Sequence, residues 1–154
     1  MPDRAAADRR WLEEAIELSK LCPPSPTAFS VGSIIVSADG EVIATGYSRE
    51  GDPHDHAEET ALAKVKGDHR LASSTIYSSL EPCSKRSSHP QTCTQLILAA
   101  GIPRVVFAWR EPNIFVDCEG AELLSAAGRE VVEIPELAPA VRAINAPLLE
   151  SSAD

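Results

Sequence analysis

Basic side chains are scarce in this chain: 14 Lys and Arg stand against 23 Asp and Glu, a formal net charge of -9. A surface of that sign repels phosphate backbones and argues against a nucleic-acid partner. Long apolar runs are missing as well. No segment approaches the roughly 20 apolar residues that span a bilayer, and Met1 to Arg10 is charged and Ala-rich, without the apolar run of a signal peptide. The expectation is a cytoplasmic protein with no membrane partner. Cysteine is limited to Cys22, Cys83, Cys93 and Cys118; with no export signal, such cysteines more often bind metal or sit free than form disulfides. Internal repeats and linkers are absent too. A length of 154 residues, 44% of them hydrophobic and 24% charged, is enough for one core and too short for two. One domain is expected over residues 1–154, with its core at about 9–149.

What the chain does have is a regular succession of elements. Trp11, Leu12, Ala15, Ile16, Leu18 and Leu21 recur at helical spacing, predicting a helix from Arg9 to Leu21 with Asp8 as N-cap and Pro23-Pro24 as the stop. Val31–Val36 and Glu41–Tyr47 read as a hairpin turning at Ala38-Asp39-Gly40. A helix is expected from near Asp55 to Gly67, then a strand at Thr75–Leu80. Thr92 and Gln95 form a capping box for a helix over Cys93–Ala100. A strand at Arg104–Trp109, a helix at Gly120–Ala127, a strand at Glu130–Ile134 and a helix from Ala138 to about Leu149 follow. This order predicts an α/β fold: a three-layer α/β/α domain around a five-stranded mixed sheet.

The chemistry concentrates in Pro53-His54-Asp55-His56-Ala57-Glu58 and Glu81-Pro82-Cys83, closed by Cys93. His56, Cys83 and Cys93 offer one nitrogen and two sulfurs to a tetrahedral zinc, one per chain, and leave a fourth position for water. H-x-E with P-C-x-x-C is the signature of zinc nucleobase deaminases; here ten positions, not three, separate the two cysteines. Both His56 and Cys93 are expected in the first turn of a helix, where exposed N–H groups favour a thiolate. Glu58 is the candidate proton shuttle. Zinc brings a water pKa to roughly 7, and a neighbouring carboxylate can move its proton to a ring nitrogen and then to departing ammonia. His54 competes with His56 as ligand, Glu59 reads as a solvated helix residue, and Cys22 and Cys118 as structural.

With His56-Ala57-Glu58 and Leu80-Glu81-Pro82-Cys83-Ser84 in view, the chain resembles the cytidine-deaminase superfamily, and within it the pyrimidine deaminase domain of riboflavin biosynthesis. That family has a long loop between its zinc cysteines, in a pattern like Glu-Pro-Cys-Ser-His-x-Gly-Arg/Lys-Thr-Pro-Pro-Cys; the loop here is one residue longer. The resemblance continues through Ala99-Ala100-Gly101-Ile102, Arg104-Val105-Val106, Glu111-Pro112-Asn113 and Ile144-Asn145, covering roughly Ser30 to Leu149. It implies a cytidine-deaminase-like fold, zinc on His56, Cys83 and Cys93, proton shuttling by Glu58, a small-molecule substrate, and a homodimer or tetramer. It also implies a deaminase without the reductase domain to which the riboflavin enzyme is often fused.

The departures fall where the family holds its substrate. Ala28-Phe29-Ser30 replaces an Asn-Pro before the first strand, Arg49 stands where a His is usual, Lys85 replaces the His after Pro-Cys-Ser, and Ser87-Ser88-His89 replaces Gly-Arg/Lys-Thr. The substrate shell is accordingly assigned to Phe29, Ser30, Arg49, Glu81, Lys85, His89 and Trp109, with Lys85, Arg86 and Arg49 as candidate phosphate contacts and Phe29 and Trp109 as stacking surfaces. The expected function is zinc-dependent hydrolytic deamination of a small amino-substituted heterocycle, a riboflavin-pathway-like diaminopyrimidine first. Cytosine nucleosides or nucleotides and guanine are the alternatives within that class. A zinc-binding protein of this fold that has lost the reaction is the alternative outside it, and the intact Glu58 argues against it.

Overall fold

The computed structural model describes residues 4–23, 25, 28–83, 91–110 and 119–148. Lys85, Arg86, His89 and Cys118 lie outside the described residues.

Ile34-Ile35-Val36 and Val105-Val106-Phe107 are continuous apolar runs with no polar alternation, the pattern of strands covered on both faces. They lie in a single mixed sheet of five strands: β1 (Gly32–Val36), β2 (Val42–Tyr47), β3 (Thr75–Leu80), β4 (Arg104–Trp109) and β5 (Glu130–Glu133). The spatial order is β2-β1-β3-β4-β5. β1 pairs antiparallel with both β2 and β3, whereas β3–β4 and β4–β5 are parallel. Parallel neighbours need crossovers, and α3 (Cys93–Ala100) and α4 (Gly120–Ala126) lie in them.

Helices α1 (Arg4–Ser19) and α5 (Ala138–Ile144) pack on one face, while α2 (Ala57–Lys64), α3 and α4 pack on the other. Strand alternation supplies each layer in turn. Ile34, Val36, Tyr77 and Val106 meet Leu12, Ile16 and Val141 on the α1/α5 side. Ile35, Ile76 and Val105 meet Ala61, Leu62, Ile97 and Leu124 on the other. The three-layer expectation holds, and β3, β4 and α3 fall at the predicted bounds. Two 3-10 turns, His69–Ser73 and Pro135–Leu137, have no counterpart in the sequence reading.

Asp8 requires a correction. It is no N-cap: α1 begins at Arg4, and Asp8 lies within it on the buried stripe with Leu12, Ala15, Ile16 and Ser19. Its carboxylate accepts from Arg104 Nη1 and Nη2, both at 2.6 Å, and from the Tyr77 hydroxyl at 2.8 Å. Arg104 Nε reaches Glu130 at 2.9 Å. An acidic residue among apolar ones reads locally as a helix start; a bidentate guanidinium partner 96 residues away is what satisfies its carboxylate inside the fold.

Candidate metal centre

His56, Cys83 and Cys93 gather at one end of the sheet, where β2 and β3 finish and α2 and α3 begin. The chain leaves β3 through Glu81-Pro82-Cys83, and α3 seizes it at once. Thr94 donates its N–H to the Cys83 carbonyl at 3.1 Å and its hydroxyl to the Pro82 carbonyl at 3.3 Å. Gly120, opening α4, presses on the same turn; a Cβ there would lie 2.0 Å from the Pro82 oxygen. Cys93 is the first residue of α3, under the capping box that the sequence predicted. Thr92 Oγ1 accepts from the Gln95 N–H at 3.2 Å, and Gln95 Oε1 accepts from the Thr92 N–H at 2.9 Å.

His56 is the N-cap of α2, not a first-turn residue. Its N–H donates to Glu59 Oε1 at 2.9 Å. Glu59, expected to be a solvated helix residue, is half-buried and fixes the backbone of a candidate ligand. β2 carries α2 closely because Gly46 faces it: a Cβ there would lie 2.4 Å from the Ala57 oxygen and 2.7 Å from the Ala61 nitrogen.

The ligand atoms of His56, Cys83 and Cys93 lie within 4.8 Å of one another. His56 Nδ1 is 3.5 Å from Cys83 Sγ and 3.3 Å from Cys93 Sγ. Zn–S bonds of about 2.3 Å and a Zn–N bond of about 2.0 Å in a tetrahedron separate nitrogen from sulfur by roughly 3.5 Å. The donor set therefore fits one zinc in chemistry and in spacing. The sulfur of Cys93 holds the Cys83 thiol well below its ordinary range, helped by the imidazole of His56 and the Cys93 N–H at 3.3 Å, against the upward push of burial. A deprotonated sulfur is what a metal requires. Exposed His54, the competing ligand, is not in this cluster.

Glu58 stands two residues from His56, only 4% exposed, at the start of α2. Phe29, Val31, Ala57, Leu80 and Leu148 form a buried cluster beside it, with Trp109 packed on its rim. Phe29 and Trp109 meet edge to face, their centroids 5.8 Å apart. Ser30 donates its N–H to Asn145 Oδ1 at 2.7 Å, and its carbonyl accepts from Asn145 Nδ2 at 3.2 Å. The sequence offered no signal for this role of Asn145 beyond its place in the resemblance.

Three of the substrate-shell candidates, Glu81, Arg49 and Ser30, have their polar side chains engaged within the chain. The Glu81 carboxylate, 2% exposed, accepts from the Ala121 N–H at 3.0 Å and lies 3.8 Å from Arg110, anchoring the start of α4. Arg49 adopts a left-handed backbone at φ +61°, which costs a non-glycine residue ~1–2 kcal/mol. Its guanidinium bonds to Pro23, Phe29 and Ser30.

A His/Cys/Cys cradle and a buried carboxylate, set at the helix starts of a three-layer α/β sheet, define a zinc-binding α/β domain. The chain belongs to the family described as the cytidine and deoxycytidylate deaminase zinc-binding region, whose model matches residues 5–109. It is 42% identical over 126 residues, 80% of its length, to the diaminohydroxyphosphoribosylamino-pyrimidine deaminase of Schizosaccharomyces pombe, and spans 31% of that protein. Generally it spans about a third of the length of the curated relatives it matches. Among solved structures, RibD of Acinetobacter baumannii superposes with a TM-score of 0.83 at 29% identity, covering 98% of this chain and 41% of that one. The Rib2 deaminase of Aspergillus oryzae, a C-terminal deletion mutant, gives a TM-score of 0.81 at 27% identity, covering 95% and 94%. The same enzyme in complex with DARIPP gives 0.71 at 29% identity, covering 82% and 84%.

Proposed function

We propose that this protein hydrolytically deaminates a small amino-substituted pyrimidine carrying a phosphoribosyl group, releasing ammonia. One observation carries the reading: two sulfurs and an imidazole nitrogen converge from three separate segments, with the buried carboxylate of Glu58 two residues from the imidazole. The names of the relatives support the substrate class, since the Schizosaccharomyces pombe protein is a deaminase of a phosphoribosylamino-pyrimidine and the Aspergillus oryzae deaminase binds DARIPP.

His56, Cys83 and Cys93 would hold the zinc. Bound there, zinc would supply an acidified water near neutral pH. Glu58 would carry one proton from the attacking water to the ring nitrogen, and then the second, released as the new carbonyl forms, to the departing amine, which leaves as ammonia. Phe29 and Trp109 form an apolar wall against Ala57, between His56 and Glu58, and an apolar wall strengthens the electrostatic interactions made beside it. Glu59 and Thr94 keep the ligands in register.

The test is ammonia release from the phosphoribosylated diaminopyrimidine, with cytosine nucleotides and guanine alongside. Turnover by the wild type, with Glu58→Gln slower by on the order of 10³-fold, is the expected result. Glu58→Gln retaining wild-type turnover would remove Glu58 from the mechanism.

A further inference from the structure

We propose that Arg49 is a positioning residue whose guanidinium locks the Phe29–Ser30 segment onto the metal-ligand loop, setting the aromatic wall beside the zinc cradle. What this implies for a substrate rests on the function proposed above.

The backbone of Arg49 faces one way and its side chain the other. Its N–H donates to the Asp55 carbonyl at 2.8 Å, closing the loop one residue before His56. Its Nε and Nη2 fork onto the Pro23 carbonyl at 2.9 and 2.7 Å. Nη1 reaches the Phe29 carbonyl at 3.1 Å, and Nη2 also reaches Ser30 Oγ at 2.9 Å. Four of the five N–H donors of a guanidinium are thus used on three residues of the 23–30 segment. Ser30 is gripped from both sides, through its hydroxyl by Arg49 and through its backbone by Asn145. Between these clamps Phe29 is buried in the cluster that includes Ala57, the residue joining His56 to Glu58, and packs against Trp109.

These contacts decide between two roles for the charge. All three acceptors are neutral, and two are main-chain carbonyls at 3.1 Å or less. Turning the guanidinium towards a phosphate would give up its bond to the carbonyl of buried Phe29, and hydrogen bonds to buried groups are costly to lose. Lysine cannot replace the strap, because a single ammonium lacks the planar fork that spans separated acceptors. The left-handed backbone has the same logic: it directs the N–H to Asp55 while the side chain crosses to Pro23.

The experiment uses Arg49→Lys and Arg49→Gly in a Trp11→Phe background, so that Trp109 is the single tryptophan. Acrylamide quenching, zinc content and steady-state kinetics are measured together. Both variants should keep one zinc per chain, since the cradle's ligands are untouched, while quenching of Trp109 rises about twofold as the wall loosens. Millimolar guanidinium should restore the quenching of Arg49→Gly, which leaves a slot for it, and not that of Arg49→Lys; a merely destabilised fold would be worsened by the same salt. KM should rise on the order of tenfold with kcat nearly constant, equally for phosphorylated and dephosphorylated substrates. Unchanged quenching, or a KM effect confined to phosphorylated substrates, would overturn the proposal. If no substrate turns over, the quenching and its rescue still decide the role of Arg49, while the proposed function alone fails.

Discussion

Single side chains carry this site through what they hold as much as through what they bind. Replacing Cys83 or Cys93 with Ser should reduce bound zinc well below one per chain, measured by metal analysis after dialysis, because a hydroxyl is not deprotonated where a thiolate is. The most consequential residue outside the site is Asp8. Asp8→Ala leaves Arg104 buried without its bidentate partner, and removing one member of a buried pair costs ~3–5 kcal/mol; urea denaturation should show that loss. Tyr77, beside the same carboxylate, links the cluster to pH. Burial first, and then its hydrogen bond to Asp8, raise the Tyr77 phenol above its ordinary range. A raised acid stabilises the fold fully below the unfolded pKa of about 10 and loses that contribution as pH rises beyond it. Stability should therefore fall more steeply above pH ~10 in the wild type than in Tyr77→Phe. The clustering of His56, Cys83 and Cys93 was legible in the sequence because His and Cys at those spacings have one common chemical use, and the proposal of Glu58 as proton shuttle came from its place two residues after His56. Asp8 was not legible, because Arg104 and Tyr77 reach it only through the fold.

At the scale of elements, two helix starts and one strand end present the ligands, and close backbone approach sets their positions. The capping box at Thr92 and Gln95 was readable because it is local, four residues with their own hydrogen bonds. The approach of α2 to β2 was not: Gly46 is an unremarked residue in a strand until the helix above it is seen. Gly46→Ala should drive α2 outward, costing about 1–3 kcal/mol by overpacking. It should also lower zinc affinity, because His56 and Glu58 move with the helix; competition with a chromogenic chelator reads that second effect. The Glu81 carboxylate and Gly120 have the corresponding duty on the other side, fastening the start of α4 against Pro82.

Across the whole molecule, the succession of helices and strands was enough to predict a three-layer domain, since apolar runs such as Val105-Val106 require cover on both faces. The strand order and the direction of each pairing depend on contacts far apart in sequence, and only the fold supplies them. That order brings the ends of β2 and β3 together with the starts of α2 and α3 at one edge, the site being a consequence of the topology. The substrate shell was the least legible part. Ser30 is held by Arg49 and Asn145, residues 19 and 115 positions away, and no local pattern announces such a grip. The most direct test is ammonia release from the phosphoribosylated diaminopyrimidine, with zinc content determined on the same wild-type and Glu58→Gln samples. Turnover by the wild type, one zinc in both proteins and almost none of the turnover in Glu58→Gln is the predicted result. A chain that binds no zinc, or a Glu58→Gln variant as active as the wild type, would contradict it.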